Sequence, residues 1–181
     1  MRRIIVGLQS SPRIHTIRMD GCGLVDHQIN ELSASLCNYK NLRELCLDRN
    51  SCQSTGMIGI GLILRKGNLE MLRLSAQDPV HHHHRLNIYP LTQHQIKSRE
   101  IRSLRELDLS QNDLDDGDFS NIGDSLKHNT TLEKLVLMRN RITDDGLCKF
   151  PEPWTLFARP SPIAACPSRS SLPWRGPKRS F

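Results

Sequence analysis

The amino-acid sequence predicts an α/β fold in the form of a right-handed horseshoe, with a parallel sheet on its concave face and helices on its convex face. Two observations predict it. An apolar-polar alternation returns about every 28 residues, and in the segments between its copies apolar residues lie three and four positions apart. One strand and one helix bury their apolar faces only when successive copies stack, and stacking gives a solenoid.

The first part of each period is typical of a strand. Its pattern, L-x-x-L-x-L-x-x-N-x-L, is clearest at 104–114 and 132–142. The central leucines alternate with polar residues, as in a strand with one buried face. The periods start at 14, 42, 69, 104 and 132, so the interval of 35 residues holds a seven-residue insertion.

A polar residue follows each strand, and we expect the asparagines among them to bond the backbone of neighbouring turns. The positions are Cys22, Asn50, Gln77, Asn112 and Asn140.

The second part of each period is typical of a helix. Apolar residues at helical spacing are Val25, Ile29, Leu32 and Leu36 in one period, and Phe119, Ile122 and Leu126 in another. Thr143 is a candidate N-cap, and Asp144 and Asp145 would favour a helix N-terminus electrostatically. Asp115 and Asp116 are expected to act in the same way one period earlier.

The strand motif, the period and the T-D-D-G-L segment at 143–147 resemble the ribonuclease-inhibitor-like class of leucine-rich repeats over about residues 1–150. This class includes ribonuclease inhibitor, the repeat domains of NOD-like immune receptors, Ran GTPase-activating protein and tropomodulin. The resemblance implies a leucine-rich-repeat solenoid that binds another protein through its concave face.

The sequence divides into a repeat domain at 1–150, an inserted loop at about 76–90, and a Pro-rich basic tail at 151–181 that is expected to be disordered. Trp154 and Phe157 of the tail are candidates for packing on the last repeat, or for remaining free. Because the chain starts inside a helix with no polar capping unit, we expect a truncated array or an end covered by a partner, with end-to-end self-association as one option.

Charge and cysteine usage restrict the function classes. The net charge is +6, but the tail holds five bases and one acid, which leaves +2 for the first 150 residues. Nucleic-acid binding by the repeat body is therefore not expected, and no apolar run is long enough for a membrane span.

The six cysteines include no C-x-x-C pair. Reduced thiols in the cytoplasm are expected, with a nuclear location open and a secreted disulfide scaffold as the alternative.

No catalytic, cofactor or metal site is predicted. The glycines at 56–61 fall on a helix, where they favour close packing over a phosphate-binding loop. The paired aspartates recur in each of two periods, which indicates a structural role. The tract His81–His84 is interpreted as a solvated loop in preference to a transition-metal site.

The outward strand positions form the candidate binding surface. Five of these fifteen positions are acidic, three are basic and none is aromatic: Thr16, Arg18, Asp20, Glu44, Cys46, Asp48, Met71, Arg73, Ser75, Glu106, Asp108, Ser110, Lys134, Val136 and Met138. The predicted partner-binding residues are Arg18, Glu44, Met71, Arg73, Glu106, Asp108, Lys134 and Met138. The predicted function is a non-catalytic protein-interaction module in signalling, innate-immune-type sensing or scaffolding. The alternatives are a GTPase-activating protein of the Ran regulator type and a structural cytoskeletal or ciliary repeat protein.

Overall fold

The computed structural model describes residues 7, 11, 13–77, 86–92, 101–127 and 129–148. Five three-residue strands form one parallel sheet in the order β1-β2-β3-β4-β5. They are β1 Thr16–Arg18, β2 Glu44–Cys46, β3 Met71–Arg73, β4 Glu106–Asp108 and β5 Lys134–Val136. With helices between successive strands, this arrangement confirms the predicted α/β solenoid.

The central residue of every strand lies in a single row across the sheet. Ile17, Leu45, Leu72, Leu107 and Leu135 are direct partners in the strand register, and all are buried. Each side chain therefore packs against its equivalents in the adjacent repeats. This row explains why an aliphatic residue returns at the same point in each period.

Between and after the strands, the described residues form five helical segments. They are α1 Asp26–Leu36, α2 Ser54–Lys66, α3 Tyr89–Leu91, α4 Asp116–Leu126 and α5 Asp144–Cys148. Their buried apolar side chains join those of the strands in one core. In the described ranges, no helix has both the length and the apolar content needed to cross a membrane.

The predicted helical role of Val25 is wrong. Val25 precedes α1 in an extended conformation, pairs with Ser51 in an isolated bridge, and is 38% exposed. Because its backbone is not yet helical, its side chain does not share the buried face formed by Ile29, Leu32 and Leu36.

The stretch at 76–90 that was assigned to an inserted loop is partly core. Gln77, Leu86 and Ile88 are buried, and Leu91 of α3 joins them. Apolar side chains on the C-terminal side of the insertion therefore belong to the core. The histidine tract at 81–84 and the tail at 151–181 lie outside the described residues.

Buried asparagines join successive repeats. Asn140 accepts hydrogen bonds from the backbone N–H of Asn112 and Leu114 at 2.9 and 3.1 Å. Its amide nitrogen donates to the carbonyl oxygens of Leu109 and Leu137, both at 3.0 Å. The amide thus satisfies backbone groups of two repeats, as a buried amide requires.

The first and third repeats depart from this arrangement. Gln77 takes the role of asparagine with a longer side chain, since its Oε1 accepts from Cys52 N and its Nε2 donates to Leu47 O. Cys22 is exposed, and its thiol contacts only the carbonyl of Asp20 among the described groups.

Aspartates at the start of the helices also connect repeats. The carboxylate of Asp116 accepts from the backbone N–H and the hydroxyl of Thr143, at 2.7 and 2.6 Å. Asp26 does the same with Thr55 of α2, and also accepts from Gln53 N at 2.6 Å. Asp115, in contrast, caps its own helix by accepting from Asp118 N at 3.0 Å. Asp115 and Asp116 thus both lie at the start of α4, the first as its N-cap and the second in its first turn.

The chain makes a left-handed turn after every strand. The residues at this repeat position are Gly21, Arg49, Ala76, Gln111 and Arg139, with φ between 52° and 64°. Only the first is glycine, the residue that adopts this conformation without strain. Four repeats therefore keep a side chain at a position where L-residues are disfavoured.

Candidate functional site

The candidate site is the sheet surface that faces away from the helices, here called the open sheet face. Its side chains lie in three rows set by the strand register and the turns that follow. The rows are Thr16, Glu44, Met71, Glu106 and Lys134; then Arg18, Cys46, Arg73, Asp108 and Val136; then Asp20, Asp48, Ser75, Ser110 and Met138. The structure places all eight predicted binding residues on this one surface.

Arg73 is held at the centre of the open sheet face. Its Nη2 lies 2.8 Å from Asp48 Oδ2, and its Nε lies 3.8 Å from Asp108 Oδ2. The other carboxylate oxygens accept backbone hydrogen bonds, Asp48 from Ser75 N at 2.7 Å and Asp108 from Ser110 N at 2.9 Å. Asp48 therefore holds the guanidinium at hydrogen-bond distance, whereas Asp108 attracts it from 3.8 Å without a hydrogen bond to Nε.

A second polar group lies near the N-terminal ends of the strands. Lys134 Nζ contacts Glu106 Oε1 at 2.7 Å across β4 and β5. At the other edge of the sheet, Thr16 donates to Glu44 Oε2 at 3.1 Å. Exposed pairs of this kind contribute little to stability, but they set the positions of the side chains that a partner would meet.

Three positions that were expected to face outward are buried: Cys46, Asp48 and Ser110. Cys46 lies in register between Arg18 and Arg73, whose longer side chains flank it. Burial raises the pKa of its thiol. These three side chains therefore form the floor of the surface and offer little contact area.

Asp48 is an ionisable group in this floor. Burial raises the pKa of its carboxyl, and the N–H of Ser75 and the charge of Arg73 only partly oppose that effect. The ionised form of Asp48 consequently depends on Arg73 for charge compensation.

A polar depression of about 370 Å³ occupies the C-terminal edge of this surface, lined by Asp20, Gly21, Asp48, Arg49, Arg73, Ser75 and Gln111. Sequence reasoning missed Arg49 and Gln111. Both occupy the left-handed turn, and their shared position with Gly21 in the repeat is the signal that could have found them.

The helix side carries a second concavity, between α1 and α2. It measures about 540 Å³ and is lined by Asn30, Ser33, Thr55, Ile58, Gly59, Leu62 and Arg65. A Cβ at Gly59 would collide with Asn30 Oδ1, and one at Gly56 would lie 2.6 Å from Asp26 Oδ1. These glycines therefore allow neighbouring helices to approach closely.

No group of three or more His, Cys, Asp or Glu side chains in the described ranges is arranged to hold a metal ion. The acids of the open sheet face instead bond to backbone N–H groups and to basic side chains. The surface thus presents charged side chains together with Met138, which is 46% exposed.

Comparison with known families supports a leucine-rich-repeat protein. A family model described as Leucine Rich repeat matches residues 100–124 and 128–150. A search of curated proteins found no match. The two matched repeats and the five-stranded parallel sheet support a leucine-rich-repeat protein folded as an α/β solenoid.

Proposed function

We propose that this chain is a non-catalytic module that binds another protein through the open sheet face. Leucine-rich-repeat domains generally bind proteins. The observation that carries the proposal for this chain is the position of Arg73 between two carboxylates of neighbouring repeats, 2.8 Å from Asp48 and 3.8 Å from Asp108. A surface whose charged groups are already oriented loses little side-chain entropy when it binds.

Binding energy is expected to concentrate on a few side chains. Arg18 and Met138 are exposed at opposite edges of the sheet, and Met71 is half-buried between them. Arginine is enriched among the residues that dominate interfaces, and methionine adapts its shape to a partner. The acids around Arg73 would then set the orientation and charge preference of that partner.

We also propose a reducing intracellular location and a place among the ribonuclease-inhibitor-like repeats, with roles in signalling, sensing or scaffolding. Cys22, Cys37, Cys46 and Cys52 are free, and the last three of them are buried. Buried unpaired thiols suit a compartment in which disulfides do not form. The 28-residue interval between β4 and β5 supports the ribonuclease-inhibitor-like class of repeat.

Matched variants test the proposed surface. The double variant Arg18→Glu with Met138→Ser changes two exposed side chains of the open sheet face, and Glu31→Arg with Ile58→Ser changes two exposed helix residues as a control. With a partner identified by affinity capture, we expect the first pair to weaken binding at least ~10-fold, the effect of one lost anchor residue. The control pair should leave affinity unchanged, and both should unfold at the wild-type temperature. Equal loss in the two variants would contradict the proposal.

A further inference from the structure

We propose that two copies of this chain associate through the outer side of α2, antiparallel and with twofold symmetry. The contact surface, here called the α2 stripe, consists of Thr55, Ile58, Leu62 and Arg65. The inference goes beyond the proposed function, because the α2 stripe lies on the helix side and its pairing leaves the open sheet face free. Its basis is an apolar exposure that the two other long helices do not share.

The middle of α2 is apolar on every side. Residues 56–64 contain no polar side chain, and a helix that is apolar all round is normally buried all round. Ile58 is nevertheless 57% exposed, and Leu62 is only half-buried. The same repeat positions hold polar or small residues in the other long helices, namely Asn30 and Ala34 in α1 and Ser120 and Asp124 in α4. The exposed aliphatic pair is therefore specific to this repeat, which indicates that another surface covers it.

The α2 stripe has the spacing of one seam of a two-stranded coiled coil. Its members follow one another at intervals of three, four and three residues, and side chains at this spacing interdigitate between two helices. The stripe is also symmetric about Ile60. In an antiparallel pair whose twofold axis passes this residue, Ile58 of each copy lies against Leu62 of the other copy. A second copy therefore supplies aliphatic residues at the spacing that the stripe requires, as an interface of one patch with itself must do.

Charge at the two ends of the α2 stripe favours the antiparallel direction. Arg65 lies at its C-terminal end, and Thr55 at its N-terminal end is hydrogen-bonded to the carboxylate of Asp26. Among the described groups, Asp26 accepts only from the neutral donors of Gln53 and Thr55 and forms no ion pair. The antiparallel pair brings Arg65 of one copy to Thr55 and Asp26 of the other, so that a base meets an acid. A parallel pair would place the two copies of Arg65 together.

The groove between α1 and α2 gives the second copy room. Ile58, Gly59 and Leu62 all line this concavity of about 540 Å³. Because Gly59 has no side chain, an aliphatic side chain of the second copy can enter beside Ile58 and Leu62. The equivalent repeat position holds Glu31 in α1 and Asn121 in α4. The protruding side chains and the groove that receives them therefore belong to one patch, as twofold symmetry requires.

The contact is small, and the association is therefore weak. It uses one helix of 13 residues from each copy, whereas stable interfaces bury about 1,200–2,000 Å² in total. We expect dimers at chain concentrations of about 0.1 mM and above. At the nanomolar concentrations of a capture or photo-crosslinking experiment the chain is monomeric, so the open sheet face is tested there separately from this contact.

Sedimentation equilibrium of the full-length chain tests the association. The mean mass should rise from that of the monomer toward that of the dimer as the chain is concentrated to about 1 mM. Ile58→Lys and Leu62→Asp should each raise the dissociation constant at least ~10-fold. The control Ser120→Lys makes the first of these charge changes at the equivalent exposed position of α4 and should leave it unchanged. A monomer mass at about 1 mM, or an equal loss in the control, would overturn the proposal.

A mixture of the two α2 variants tests the antiparallel direction. When chains with Ile58→Lys and chains with Leu62→Asp combine, the antiparallel pair sets the new ammonium against the new carboxylate and keeps one wild-type Ile58–Leu62 contact. The mixture should therefore associate at least ~10-fold more tightly than either variant alone. Ser120→Lys mixed with Leu62→Asp should give no such recovery. A mixture of the α2 variants that binds no more tightly than its components would overturn the antiparallel pair.

Discussion

At the scale of single residues, the left-handed turn after each strand is the feature that the sequence conceals most completely. Ala76, Arg49, Gln111 and Arg139 are ordinary L-residues, so nothing in their chemistry marks a positive φ. Gly21 alone carries a signal, and it becomes informative only when the five periods are aligned. The buried asparagines, in contrast, were predictable because a repeated polar residue after a strand has a backbone role.

Replacing Ala76 by glycine should stabilise the protein. A left-handed alanine costs about 1 kcal/mol, which exceeds the backbone entropy that glycine adds to the unfolded chain. We expect the free energy of unfolding in urea to rise by about 0.5 kcal/mol. The matched change Ala34→Gly, on the exposed side of α1, should lower it by about 1 kcal/mol. A loss of similar size at both positions would show that Ala76 is not left-handed.

Gly146 and Asp116 should be energetically coupled. A Cβ on Gly146 would overlap the Asp116 carboxylate, which Thr143 holds in place. Gly146→Ala should therefore cost about 1–3 kcal/mol in wild type. In an Asp116→Ala background most of this cost should disappear, because the obstructing carboxylate is absent and only the Cβ of residue 116 remains, at 3.0 Å. Urea unfolding of the four proteins in the cycle measures the coupling, and additive effects would refute the contact.

Asp48 should contribute a pH dependence of unusual sign. Burial raises its pKa in the folded protein above the ordinary carboxyl value, so the folded state binds more protons between the two pKa values. The contribution of Asp48 to stability should therefore fall as pH rises through that range. Urea unfolding across the acidic range should show wild type losing stability relative to Asp48→Asn. A relative gain for wild type would mean that Arg73 lowers this pKa.

At the scale of elements, the apolar spacing located the strands and the buried faces of α1 and α4. It failed for Val25, because a residue one position before a helix has the right spacing without the helical backbone. It also failed to predict the burial of Cys46. Strand alternation predicts that this side chain points toward the open sheet face, but it does not predict that Arg18 and Arg73 on adjacent strands cover it. The burial of the segment at 86–92 was not predicted, because its apolar residues reach the core only when the insertion before it has folded back.

The substitution Gly59→Ala tests the close approach of α1 and α2. An alanine Cβ at this position would collide with Asn30 Oδ1 and lie 3.0 Å from Ser33 Oγ, which is buried without a hydrogen-bond partner. We expect Gly59→Ala to lower the free energy of unfolding by about 1–3 kcal/mol despite the better helix propensity of alanine. Gly117→Ala is the matched control, because Gly117 is exposed in α4 and its Cβ would meet only Asp115 Oδ1, at 3.2 Å. Equal effects of the two changes would contradict close packing at Gly59.

At the scale of the whole molecule, the repeat period was sufficient to predict a parallel sheet with one row of aliphatic residues through its core. It also identified the surface on which Arg18, Arg73 and Met138 lie together. The pairing within that surface could not be predicted, because Arg73 meets Asp48 and Asp108 only after three repeats stack in register. The proposed recognition of a partner uses these pairings, which is why composition and motif alone left its chemistry open.

The central claim is that the open sheet face, and not the helix side, meets the partner. Its most direct test places a photo-crosslinking amino acid at Met138 in one protein and at Ile58, which is 57% exposed on α2, in another. Illumination in cell extract should give one discrete protein adduct from position 138 that free wild-type chain competes away, and none from position 58. The same adduct from position 58 alone would contradict the account.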